Sequence, residues 1–126
     1  MLDSARAQAT IAVSDIDRAK QFYRGTLGLA AREERADGVI YETGGGTEFL
    51  VYPSGFAGTN QSTYMAFLVP DLEAAVEELR GQGITFEQYD LPGVKTDERG
   101  IAEAQGIRGA WFKDPDGNII SVGERT

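Results

Sequence analysis

The chain uses one stretch twice. Residues 13–25 read VSDIDRAKQFYRG and residues 69–81 read VPDLEAAVEELRG, and they align without a gap at an offset of 56 residues. Val13/Val69, Asp15/Asp71, Ala19/Ala75, Arg24/Arg80 and Gly25/Gly81 are identical, and Ile16/Leu72 and Asp17/Glu73 are near-equivalent. A strand end, an acidic residue suited to cap a helix, one helical apolar spacing and a terminal glycine recur together. Chance resemblance between two amphipathic helices supplies a few matches, not this set. The chain reads as two copies of one supersecondary unit.

Each copy can be followed outward from that stretch. Residues 7–13 alternate, with Ala7, Ala9, Ile11 and Val13 on one face and Gln8, Thr10 and Ala12 on the other, the period of a strand between two different surroundings. Asp15 then caps a helix whose stripe is Ile16, Ala19 and Tyr23, with Phe22 beside it, and Gly25 is placed to end it. Strands follow at 29–34, 39–43 and 47–52, joined by Arg35-Ala36-Asp37-Gly38 and Gly44-Gly45-Gly46. The second copy repeats this with a strand at 63–69, an Asp71-capped helix with the stripe Leu72, Ala75, Val76 and Leu79, and strands at 84–89, 107–113 and 118–122. Gly81 or Gly83 ends that second helix. Residues 91–106 break the match, being polar, glycine-bearing and longer than a hairpin needs. The reading is an α+β chain of two β-α-β-β-β modules, at 7–55 and 63–123, with a linker at 56–62.

Composition limits the chemistry. There is no cysteine, so disulfides, thiolate catalysis and zinc–thiolate sites are excluded. There is no histidine either, which removes the commonest metal ligand and the commonest general base at neutral pH. A net charge of -8 argues against nucleic acid and weakly favours cationic ligands. No apolar run is long enough to span a membrane, and the N-terminus lacks the basic and apolar regions of a secretory leader, so a cytoplasmic protein with no membrane partner is expected.

Several motifs invite a functional reading that a simpler one displaces. Gly44-Gly45-Gly46 joins two strands rather than a strand and a helix and lacks the Lys-Ser/Thr of a phosphate loop, so it reads as a hairpin turn. Asp114-Pro115-Asp116-Gly117 offers two carboxylates, yet Asp-Pro and Asp-Gly are turn dipeptides in their own right. Strand alternation gives the better lead. If Met65, Phe67 and Val69 meet a helix, then Tyr64, Ala66 and Leu68 face the other way. The same reasoning sends Gln8, Thr10, Glu48, Leu50, Tyr52, Trp111, Lys113 and Ser121 to that inner side. Aromatic rings among sparse polar groups suit a small-molecule site. They suit a packed core equally well.

The duplicated unit, the V-x-D-[IL]-[DE]-x-A signature in both copies, Phe22-Tyr23 followed by Leu27-Gly28-Leu29, and Phe112-Lys113-Asp114-Pro115-Asp116-Gly117-Asn118 resemble the vicinal oxygen chelate superfamily. That group holds glyoxalase, bleomycin-resistance proteins and extradiol dioxygenases. The resemblance covers residues 7–123 and implies paired modules forming a curved eight-stranded mixed sheet around a cavity, helices outside. Members with metal-dependent activity place four ligands on the inner surface, and those positions fall here on Gln8, Leu50, Tyr64 and Ser121. None is the usual His or Glu, so no metal and no other cofactor is expected.

Two functions fit that resemblance. One is a metal-free homodimeric binder of a small cationic or aromatic molecule, similar to the drug-sequestering members, with Gln8, Thr10, Leu50, Tyr52, Tyr64, Leu68, Trp111, Lys113 and Ser121 as the ligand-contacting set. The other is a metal-independent lyase, isomerase or epimerase acting on a carbonyl compound. There Glu48 would be the base, with Lys113 or Tyr64 opposite a developing oxyanion. The 91–106 segment would serve either as a lid, reaching the ligand with Lys95, Glu98 and Arg99, or as a surface loop.

Overall fold

The computed structural model describes residues 1–104 and 106–125, and the chain divides into two compact units, Met1–Thr59 and Asn60–Thr126. In the first, β1 (Ala9–Val13) leads through α1 (Ile16–Lys20) to β2 (Ala30–Arg35), β3 (Gly38–Glu42) and β4 (Glu48–Pro53). These strands make one mixed sheet in the order β1-β4-β3-β2, with β1 parallel to β4 and the other pairs antiparallel. Asp15 caps α1 as its sequence implies, its Oδ1 accepting from the amides of Asp17 (3.0 Å) and Arg18 (3.1 Å).

Gly25 does not end this helix. After Lys20 the chain widens into a π turn over Gln21–Thr26, with the Leu27 amide donating to the Phe22 carbonyl at 2.9 Å. The stop comes at Gly28, whose φ of 72° is the left-handed conformation that closes helices. The widened turn carries Tyr23 onto the sheet, where its ring lies 5.8 Å from Tyr41 and 5.7 Å from Phe49. These three rings, with Ile11, Val13, Val39 and Val51, form the buried core of this unit. Edge-on and tilted aromatic pairs of this kind add about 0.5–1.5 kcal/mol each beyond their burial. Gly38 is obligatory at the head of β3: with φ at 152°, a Cβ there would sit 2.4 Å from the Val51 carbonyl oxygen.

The second unit repeats the plan with different edges. β5 (Thr63–Leu68) leads into α2 (Leu72–Gly81), followed by a small hairpin of β6 (Asp90–Leu91) and β7 (Val94–Lys95), then β8 (Ala102–Ala104), β9 (Ile107–Lys113) and β10 (Ile119–Arg125). The main sheet runs β5-β10-β9-β8, with β5 parallel to β10. The expected eight strands of a mixed fold are therefore two hydrogen-bonded sheets of four. Gly83 (φ 92°) ends α2, with the amides of Gly83 and Ile84 donating to the carbonyls of Arg80 and Leu79 at 2.9 and 3.1 Å, a Schellman closure. Leu72 and Val76 bury the helix's inner stripe against the sheet face carrying Ala110, Phe112, Ile120 and Val122.

Residues 84–89 form no ladder strand, although Ile84 and Phe86 are buried with exposed neighbours as alternation requires. The reason lies in β9, whose outer edge at Ile107, Arg108 and Gly109 is taken by β8. The 84–89 segment meets that strand further along, where the Glu87 amide donates to the Trp111 carbonyl at 2.8 Å. Residues 114–117 form the expected turn, and its first residue does more than turn. The carboxylate of Asp114, itself buried, accepts from the amides of Asp116 and Asn118 at 2.9 Å and from the Asn118 side chain at 2.8 Å.

Candidate functional site

Each sheet has one face under its helix, and the opposite face carries the candidate residues. On the first, register places Thr10 beside Leu50 and Ala12 beside Tyr52, with Ile40 beyond Leu50. Leu50 and Tyr52 are half-buried, whereas Thr10 and Gln8 are exposed. Glu48 and Gln8 do meet: Gln8 Nε2 donates to Glu48 Oε1 at 3.0 Å. A third partner completes the group, Arg32, whose Nε donates to Glu48 Oε2 at 2.7 Å. The Glu48 side chain is 14% exposed, so this carboxylate is held in a largely water-poor setting with both oxygens engaged.

Arg32 was invisible to strand alternation. It sits where the β2–β3 register slips between Ala31 and Glu33, and a bulge of this sort turns a side chain away from its ordinary direction.

On the second sheet, Ala66, Ser121 and Trp111 lie side by side in register, and Leu68, Gly123 and Gly109 form the next row. Trp111 and Ser121 are half-buried, Tyr64 likewise, while Lys113 is exposed and Leu68 stands 73% exposed. The indole packs beside Gly109, its ring atoms 3.6 and 3.7 Å from where a Cβ would be, ordinary contact distances. Beside it stands Tyr89, which the sequence reading left out of the inner-face set although alternation from buried Ile84 and Phe86 places it on that side. The two rings are 5.7 Å apart at 66°, edge to face. Burial pushes the Tyr89 phenol above its ordinary range, Glu87 adds to the shift and Lys113 opposes it. Lys113 and Glu87 themselves pair at 3.3 Å.

A second charged group lies on the helix side of this unit. Asp71, Glu73 and Glu124 bring carboxylate oxygens within 4.8 Å of one another, the donor set of a hard cation. Arg108 already occupies the position between them. It donates to Glu73 and, at 2.8 Å, to Glu124, while Glu124 accepts the Leu72 amide at 2.7 Å. The hydrogen bond from Arg108 holds the Glu73 carboxyl below its ordinary range. This is a clamp joining β9 and β10 to the start of α2, built as an Arg-bridged cap.

The 96–101 stretch is equally committed. Asp97 Oδ1 accepts from the amides of Arg99 (2.8 Å) and Ile101 (3.0 Å), its Oδ2 takes Arg99 Nη2 at 2.8 Å, and Arg80 donates to the Glu98 carbonyl at 3.4 Å. Arg99 also approaches Glu73 at 3.8 Å. Glu98 and Arg99 thus bind the segment to α2.

The glyoxalase/bleomycin resistance protein/dioxygenase superfamily model matches residues 6–122. The chain belongs to that superfamily. No curated protein matches the sequence. Among solved structures, UcmS2 is similar at 22% identity, with a TM-score of 0.73, 94% of this chain and 98% of that one covered. A glyoxalase family protein from Enterococcus faecalis is similar at 23% identity and a TM-score of 0.71, with 98% and 100% covered. The glyoxalase/bleomycin resistance protein from Catenulispora acidiphila stands at 24% and 0.68, with 98% and 100% covered. These likenesses establish the glyoxalase-type fold.

Whether this superfamily member can hold a catalytic metal is a question of donors. Gln8, Leu50, Tyr64 and Ser121 offer an amide, an alkyl chain, a phenol and a hydroxyl. Leucine donates nothing, and the Gln8 amide nitrogen is directed at Glu48. Glu48, the nearby carboxylate, is committed to Arg32. This set does not fit a divalent ion, for which carboxylate or imidazole ligands are needed. Among the described residues no helix is long and apolar enough to cross a membrane.

Proposed function

We propose that this superfamily member is a metal-free binder of a small, flat, aromatic molecule, received on the open face of the second sheet against Trp111. The observation that carries this reading is the company Trp111 keeps. Its half-buried ring stands among Ala66, Ser121, Gly109 and Gly123, residues too small to cover it, with Tyr89 fixing it from the side. A large ring flanked by small neighbours leaves a flat apolar platform, and stacking against such a ring is the contact a planar ligand makes best. The charge of -8 favours a cationic ligand over an anionic one. Lys113 and Ser121 supply polar groups at the rim, and Tyr64 and Leu68 its apolar border. The first sheet's Gln8, Thr10, Leu50 and Tyr52 belong to the same reading as a second polar and aromatic surface. A homodimer in the cytoplasm completes it.

The alternative, a metal-independent lyase, isomerase or epimerase using Glu48 as base, draws less support. A base must reach a substrate proton, and both oxygens of this carboxylate are engaged by Arg32 and Gln8.

Trp111 is the only tryptophan, so its fluorescence reports the proposed platform directly. Titration with proflavine, a planar cation, is expected to quench that emission saturably, and 2-naphthoate, a planar anion, to do so more weakly. Trp111→Ala should abolish dye binding measured by dye anisotropy, while Glu48→Gln leaves it unchanged. Equal binding by the Trp111→Ala variant would reject the platform.

A further inference from the structure

Hydrogen bonds fasten the hairpin from Asp90 to Lys95 at its base. Thr96 does the fastening: its hydroxyl accepts the Tyr89 amide at 2.9 Å, and its own amide donates to the Tyr89 carbonyl at 3.0 Å. Beyond that point the hairpin holds itself together through Asp90 opposite Lys95 and Leu91 opposite Val94. Pro92 and Gly93 (φ 83°) supply the tight turn. Among the described residues no hydrogen bond or ion pair joins residues 90–95 to another element. On its far side the chain is immobilised at once by the Asp97 turn and by buried Ile101. The hairpin rises from a fixed floor, its return strand β7 lying beside β8 and its tip at Leu91 uncovered.

The arm has an apolar side. Tyr89 and Leu91 are two residues apart on an extended stretch, so they point the same way, and Val94 lies opposite Leu91. Tyr89 packs against Trp111, which sets the direction of that side. Leu91 is nevertheless 58% exposed, an apolar tip without cover. Two residues of extended chain carry it about 7 Å past Tyr89, roughly the distance needed to cross a ring stacked on the indole.

We propose that this hairpin is a hinged flap for the Trp111 platform, turning about Tyr89 and Thr96, with Leu91 as the specificity-determining residue that closes over a planar ligand's outer face. The proposal rests on the binding reading above and deepens it: the ligand is gripped between an indole and an aliphatic side chain, which favours a thin aromatic system over a bulky one. Tyr89 is a positioning residue, acting through Trp111.

The test is stopped-flow mixing of the full chain with proflavine, followed through Trp111 emission, together with amide exchange of the free and dye-bound protein. Leu91→Ser should speed dye dissociation about tenfold, the loss expected from uncovering one apolar side chain, with association changed less than about twofold. Pro92→Gly, which loosens the turn without touching the apolar side, should also speed dissociation. In the free protein the amides of residues 90–95 should exchange much faster than those of Asp97 and Ile101, and the dye should slow them. Dissociation from Leu91→Ser within about twofold of the unaltered chain overturns the flap while leaving the platform standing. Failure of proflavine to bind the unaltered chain at all overturns both.

Discussion

Two glycines of the 90–101 region share a backbone conformation and differ only in what surrounds them, which makes them a controlled pair. Gly93, at the hairpin tip, has φ 83° and no atom within 4 Å of where a Cβ would stand. Gly100, in the Asp97 turn, has φ 87° and would place a Cβ 2.8 Å from Phe86 Cβ and 3.4 Å from the Glu87 carbonyl oxygen. An alanine in the left-handed region costs about 1–2 kcal/mol, of which about 0.4–1 kcal/mol is returned by the stiffer unfolded chain. Gly93→Ala should therefore cost about 0.5–1 kcal/mol. Gly100→Ala meets the same backbone term plus overpacking of about 1–3 kcal/mol against a Phe86 ring already engaged with Phe112, for a total of about 2–4 kcal/mol. The difference of about 2 kcal/mol is the sounder number, because the backbone terms cancel. Equilibrium urea denaturation of the two variants measures it, and thermal denaturation should separate their melting temperatures by roughly 6–10 °C. Equal destabilisation by the two substitutions would refute the distinction between a packed 96–101 floor and an unpacked hairpin.

The Arg108 clamp predicts a particular response to acid. Arg108 holds Glu73 below its ordinary value of 4.5, so the clamp's contribution is complete above that pH and is lost as pH falls through the lowered value. Arg108→Gln should thus be clearly less stable than the unaltered chain at neutral pH, with the gap narrowing below pH 4.5. A gap in urea midpoint that stays constant on acidification counts against it. Asn118→Ala removes the side chain that donates to the buried Asp114 carboxylate and should cost about 2–3 kcal/mol by thermal or urea denaturation. A loss under about 1 kcal/mol would mean the carboxylate is satisfied without it. Thr96→Val withdraws the hydroxyl that accepts the Tyr89 amide, and should shift Trp111 emission and speed exchange at Tyr89 in the free protein; an unchanged spectrum would detach the hairpin base from the indole.

What the sequence disclosed and what it withheld divide along a physical line. Caps and turns were legible because their causes are local. Asp15, Asp71 and the Asp114–Gly117 turn each need only neighbours within four residues. The buried faces were legible too, since alternation alone puts Ile11, Val13, Phe112, Ile120 and Val122 on one side. Residues 84–89 misled because a ladder depends on which strand reaches the free edge of β9, and that edge went to Ala102–Ala104. The Arg32–Glu48 pair was hidden behind a register slip, and the Tyr89–Trp111 contact depends on a long-range approach that no local pattern specifies. Both belong to the candidate faces. Irregular backbone is where simple periodicity stops informing on side-chain direction.

The two helix stops show how the copies have drifted. From Ile16 to Gly28 is one residue longer than from Leu72 to Gly83, and the surplus is taken up where the first helix widens over Gln21–Thr26. The halves have therefore ceased to be interchangeable parts. A chimera carrying the second helix in the first position must gain one residue to keep Gly28 in step. It would also lose the widened turn that seats Tyr23 against Tyr41 and Phe49. One residue more in the first helix goes with a helix end and a seat for Tyr23 that the second half does not repeat.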